Sequence, residues 1–263
     1  MPAVVVVTIG VLVGLHALRS VLSEEADVRL VLDLAFIPAQ WTLAWDPARA
    51  SELLAGSASG EDGIGAALAQ YVVAQGSLPV WTALTYALLH GSFAHILLNG
   101  VWLAAFGTPV ARRCGAARFL ALGIASAFAG AAAHLIAHPM SVAPMIGASA
   151  GVSGMMAAAA RFVFSPALGP FGPDAWPGPH GARATADEAL KERLSLGGLL
   201  RNSRAALFLG IWFATNLLFG LVATPLGLSE ASIAWEAHIG GFLAGLILFP
   251  LVDRPEPVRF PAT

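Results

Sequence analysis

Two serines stand in one short run, Met145–Ala159 (M-I-G-A-S-A-G-V-S-G-M-M-A-A-A), at the mouth of an otherwise apolar segment. A serine at a helix start lies beside backbone N–H groups that have no intrahelical partner. Ser149 therefore combines a potential nucleophile with donors for a developing oxyanion. Such chemistry needs a base at the same depth. The candidates are His90 and His95 in A-L-L-H-G-S-F-A-H-I-L-L-N-G, and His238 in W-E-A-H-I-G-G-F-L-A-G. The i, i+4 spacing puts His95 and Asn99 on one helix face, one turn apart. Below His238, Gly241 and Gly245 form a small-xxx-small seam, and Gly147–Gly151–Met155 offers a matching small surface. Close approach along that seam would bring His238 to a serine.

Each feature also has a plainer reading. Gly, Ala and Ser at a spacing of four form the usual packing seam between membrane helices. His238 alone is equally consistent with a buried, hydrogen-bonded histidine. A metal site from His90, His95 and His238 would lack a carboxylate, and nothing else in the chain supports haem or quinone, so no metal and no cofactor is expected. His134 and His138 fall near a span end and read as interfacial, His180 reads as solvated, and His16 has no evident partner. Cys114, the one cysteine, excludes an internal disulfide and a Cys-rich metal site.

The elements that must position these groups are membrane helices. Hydrophobic residues make up 57% of the 263-residue chain and charged ones 11%, with a mean hydropathy of +0.74. This is not the composition of a soluble globular protein. Fourteen Lys and Arg leave no basic stripe to grip phosphate, so no nucleic acid is expected as a partner. Apolar runs predict six spans, at about 3–22, 80–107, 117–138, 145–165, 205–223 and 233–252, in a single domain over 1–263. The first run lacks the basic n-region and clear cleavage site of a signal peptide and reads as a span. Residues 23–79 are acidic and carry Trp41 and Trp45, which fits a long loop lying partly in the headgroup layer. Residues 166–203 read as an inserted Pro/Gly-rich loop with one amphipathic helix over 184–200. With the N-terminus cytoplasmic, eleven basic residues fall on the cytoplasmic side and three (Arg19, Arg29, Arg49) opposite. That asymmetry predicts both termini cytoplasmic, with the acidic loop and the start of the Ser149 span facing outward.

Three stretches taken together carry a resemblance. H-G-S-F-A-H-I-L-L-N (90–99), G-A-S (147–149) and A-H-I-G-G-F-L-A-G (237–245), in that order, resemble the rhomboid intramembrane serine proteases of bacterial type. Phe106–Phe119 is similar to that family's turn after the second span. The likeness runs from about Trp81 to Leu251. It implies an all-α membrane protein, a six-helix transmembrane bundle of rhomboid type in the bacterial inner membrane. The implied activity is that of a serine-type endopeptidase cleaving transmembrane helices of other membrane proteins near the outer face. Its partners would be those helices and the lipid bilayer. The alternative is an inactive relative that binds transmembrane helices without cutting them.

The resemblance makes Ser149 the nucleophile and His238 the general base, with the Ser149 N–H and the side chains of His95 and Asn99 as oxyanion donors. His90, Gly147, Ser153, Gly241 and Gly245 would be supporting residues, His90 through loop packing. Three positions depart from the family pattern. Ala150 follows Ser149 where the family usually has glycine. Ser153 stands where many relatives carry an aromatic ring on the histidine, and is expected to hydrogen-bond His238 or make room for it. Ala111 replaces a frequent glutamate. A literal G-x-S-G does occur one turn later, at Gly151–Gly154, but Ser153 lies about 6 Å further along the axis, where N–H groups are already bonded.

Overall fold

The structure is a computed structural model describing residues 1–57, 63–164, 193–222 and 234–253. Its described elements are helical: α1 (Ala3–Arg19), α2 (Glu24–Leu34), α3 (Pro38–Trp45), α4 (Ala50–Ser57), α5 (Ile64–Gln75), α6 (Thr82–Thr85), α7 (Phe93–Trp102), α8 (Thr108–Cys114), α9 (Ala116–Ala137), α10 (Ser149–Val163), α11 (Leu196–Arg201), α12 (Ser203–Val222) and α13 (Trp235–Val252). Phe93–Cys114, Ala116–Ala137 and Trp235–Val252 are long and apolar enough to cross a bilayer, while Ala3–Arg19 and Ser203–Leu218 are shorter apolar helices. Many large apolar side chains on these helices face outward, among them Val7, Leu97, Phe128, Ile211 and Ile247. In water that would be an aggregation liability; in lipid it is the expected surface.

The Ser149 helix, α10, is the centre of the bundle. Built mostly from Ala, Gly, Met and Ser, it buries twelve of its fifteen residues. A helix apolar on all sides must be enclosed. Its enclosing partners are α9 and α13, and small residues set the approach. A Cβ on Gly241 would strike the backbone of Ala150, one on Gly245 that of Gly154, and one on Gly240 would meet Ala129 and Ala133 of α9. The seam on α10 is therefore Ala150–Gly154. The expected surface, Gly147–Gly151–Met155, does not face α13: Gly151 and Met155 pack on Gly123 of α9, and Gly147 lies under His95. One residue along a helix is about 100° of rotation, which is enough to exchange one neighbour for another.

The expected 80–107 span is broken in two. Leu89 is extended, and Ser92 accepts a hydrogen bond from the His95 N–H at 3.1 Å, which starts α7 at Phe93. The helix then passes Pro109 by way of a wide turn at Leu103–Gly107, which absorbs the missing donor and carries the run to Cys114.

The described residues of 23–79 form helices rather than an open loop. Ser23 caps α2, whose first turn holds Glu24, Glu25 and Asp27 against the helix dipole. Trp45 is exposed, whereas the Trp41 Nε1–H donates to Thr82 Oγ1 at 3.2 Å. Residues 184–192 of the helix expected over 184–200 lie outside the described residues, as does His180; residues 193–195 are not helical, and Ser195 caps the separate short helix α11.

Candidate functional site

Ser149 is the first residue of α10, and the first intrahelical bond in that turn runs from Val152 N–H to Ala148 O at 3.0 Å. The N–H groups of Ser149, Ala150 and Gly151 therefore precede the hydrogen-bonded ladder. The approach to Ser149 is pinned on three sides. Met145 exchanges two backbone hydrogen bonds with Phe36, Gly147 N–H donates to Tyr86 O at 3.0 Å, and Ala148 N–H donates to His90 Nε2 at 3.5 Å. His90 is fully buried, and its carbonyl accepts from Arg19, which also forms a two-pronged pair with Asp27. The base of α1 is thereby tied to the loop beneath Ser149.

Gly147 has φ +127°, a conformation that glycine tolerates and other residues rarely adopt. Space matters as much as backbone here. A Cβ on Gly147 would sit 2.9 Å from His95 Nε2 and 3.7 Å from Ser149 Oγ, so both polar atoms border one small cleft. Asn99 lies one turn along α7 on the face of His95 and is buried.

Across the seam, His238 Nε2 lies 2.7 Å from Ser149 Oγ. Its other ring nitrogen, Nδ1, lies 2.6 Å from Asn216 Oδ1 on α12. The Asn216 Nδ2 donates to Trp212 O at 2.9 Å, which orients the amide with its oxygen toward the histidine. An oxygen there can only accept, so Nδ1 carries the proton and Nε2 presents a lone pair to the serine hydroxyl. That is the tautomer a general base requires. α12 reaches this position because Trp212 stacks on Phe242 of α13, ring centroids 4.7 Å apart.

Asn216 was not singled out from sequence. The available signal was an amide inside the apolar run Ser203–Val222, a costly residue at membrane depth. Ser153, one turn deeper and buried, is not a hydrogen-bond partner of His238; among the described residues those partners are Ser149 and Asn216. The Ala150 methyl is accommodated on the far side of the helix: it fills the space beside Gly130 of α9, where a second methyl would collide. His16 meets Phe93 edge-on with centroids 4.6 Å apart. The ligand atoms of His90, His95 and His238 do not gather; among the described residues the metal-capable group is His134, His138 and Glu236.

A buried small-residue helix whose first residue, Ser149, meets His238 and, through it, Asn216 from two neighbouring helices defines an all-α membrane protein with a candidate hydrolytic centre. A family model, the Rhomboid domain, matches residues 78–168. Over that stretch the chain is similar to the rhomboid family, which comprises serine proteases and inactive members. The matched residues contain His90, His95, Asn99, Ser149 and Ser153, while Asn216 and His238 lie beyond them. No curated protein matches the chain.

Proposed function

We propose that the chain is a serine endopeptidase that cleaves transmembrane segments of other membrane proteins. The observation carrying this reading is the 2.7 Å approach of His238 Nε2 to Ser149 Oγ, with Asn216 on the opposite ring nitrogen. Ser149 Oγ attacks the scissile carbonyl as His238 Nε2 takes the hydroxyl proton. The tetrahedral oxyanion is met by the Ser149 N–H and by His95 and Asn99. Its collapse breaks the C–N bond, and His238 returns the proton to the departing amine. Water, deprotonated by the same nitrogen, then attacks the acyl-serine; the C–Oγ bond breaks, the acid is released and His238 returns the proton to Ser149 Oγ.

Asn216 holds the Nδ1–H throughout and so stabilises the charged ring without a buried carboxylate. Substrate helices must be extended at the cut, because helical backbone bonds shield the peptide, so segments with small residues and helix breakers are favoured. The basic-residue asymmetry supports an outward-facing site and cytoplasmic termini in a bacterial inner membrane.

The competing reading is a relative that grips transmembrane helices without cutting. Fluorophosphonate labelling of the purified chain separates the two. Labelling is expected in the wild type and in Ser153→Ala, and is expected to vanish in Ser149→Ala and His238→Ala. Loss confined to Ser153→Ala would move the nucleophile; no labelling of any form would favour the binder.

A further inference from the structure

We propose that His134, His138 and Glu236 form a binding site for one zinc-class divalent cation, clasping the end of α9 to the start of α13. His134 lies in the last turn of α9 and His138 directly follows that helix, an i, i+4 pair; Glu236 is in the first turn of α13. Their ligand atoms all lie within 4.8 Å of one another. His138 Nε2 is 2.7 Å from Glu236 Oε1, and His134 Nδ1 is 3.7 Å from Glu236 Oε2. A tetrahedral ion with bonds of about 2.0 Å holds its ligand atoms roughly 3.3 Å apart. Side-chain adjustments on the order of an ångström therefore complete the geometry.

Three further observations point to a cation rather than a simple hydrogen-bonded cluster. His134 Nδ1 is buried and has no hydrogen-bond partner among the described residues, and 3.7 Å is too long for one to Glu236. An ion between the two would satisfy both groups. Two imidazoles and one carboxylate are a donor set suited to zinc and its neighbours, whereas calcium and magnesium prefer all-oxygen shells. His138 is about half exposed while Glu236 is largely covered, so an ion can arrive from the solvent side and lodge against the bundle. On binding, His138 exchanges protons with solvent so that the neutral ring carries its hydrogen on Nδ1, and the Nε2 lone pair goes to the ion. Three protein ligands leave at least one position for water.

The site is separate from the Ser149 cleft but shares a helix with it. Glu236 precedes His238 by two residues, and the packing of Gly240 on Ala129 and Ala133 brings α9 and α13 together just below. A cation here would hold the first turn of the helix that carries His238.

The test uses the full, tag-free chain in detergent and does not depend on proteolysis. Titration with zinc chloride in a calorimeter is expected to give one equivalent, and cobalt chloride to give visible d–d bands that zinc abolishes. His138→Ala and Glu236→Gln, both checked by gel filtration and metal-free melting, should each weaken zinc at least about tenfold. Ser149→Ala should bind as the wild type does. Zinc should raise the melting temperature of the wild type and not of Glu236→Gln. Absence of saturable binding in the wild type overturns the proposal, as does undiminished binding in the two ligand variants.

Discussion

Asn216 Oδ1 and His238 Nδ1 lie 2.6 Å apart on neighbouring helices, and the second hydrogen bond of Asn216, to Trp212 O, leaves that oxygen facing the ring. The pair decides which nitrogen of His238 is basic. Asn216→Ala should slow fluorophosphonate labelling of Ser149 about tenfold or more, less than the 10²–10⁴ that general-base catalysis supplies in total. Asn216→Asp should retain more, because a carboxylate still accepts from Nδ1–H. Wild-type labelling of Asn216→Ala would rule out this positioning role.

His95 and Asn99 stand on one face of α7, with His95 across Gly147 from Ser149. As oxyanion donors they act on the transition state more than on bound substrate. Replacing either by alanine should lower kcat by about 10²–10³ with little change in KM. A rise in KM at constant kcat would reassign them to substrate binding.

Gly241 admits no side chain, because its Cβ would overlap the Ala150 backbone, while a Cβ on Gly10 meets nothing within 4 Å among the described residues. Gly241→Ala should cost about 1–3 kcal/mol through overpacking, read as a melting temperature lowered by several degrees in detergent. Labelling should fall with it, since the same seam sets the Ser149–His238 distance. Gly10→Ala is the control and should leave both unchanged; equal behaviour of the two variants would refute close packing at this crossing.

At the opposite end of the bundle, Arg113 and Asp253 form a buried ion pair whose side chains are 2% and 4% exposed, with Arg193 also on the carboxylate at 3.1 Å. The Arg113 guanidinium lies 4.8 Å from the Phe162 ring centroid. Asp253→Ala leaves a buried cation without its carboxylate and should cost about 3–5 kcal/mol. The double variant with Arg113→Ala should lose less than the two single losses added together. Additive losses in thermal melts would mean that the pair carries no coupling.

Much of this could be read before any coordinates. Ser149, His95, Asn99 and His238 are polar groups in apolar runs, and polar groups at membrane depth are expensive enough to attract notice. Helix existence was equally plain from hydropathy. Boundaries were not: Ser92 and Leu89 interrupt the run that hydropathy joins from 80 to 107, because capping and one extended residue leave no mark on average apolarity. The helices of 24–75 were missed for a related reason, as short segments draw their stability from docking rather than from pattern.

What the sequence by itself determined was chemistry and periodicity: an all-helical membrane chain, a serine at a helix start, and small residues one turn apart below a histidine. The tertiary structure decided which faces meet. A helix presents several small-residue stripes that differ by about 100° per residue, and local composition cannot choose among them. Packing chose Ala150–Gly154 for α13 and left Gly151 and Met155 to α9. It also brought Asn216, twenty-two residues before His238, onto the ring nitrogen that no spacing rule connects to it.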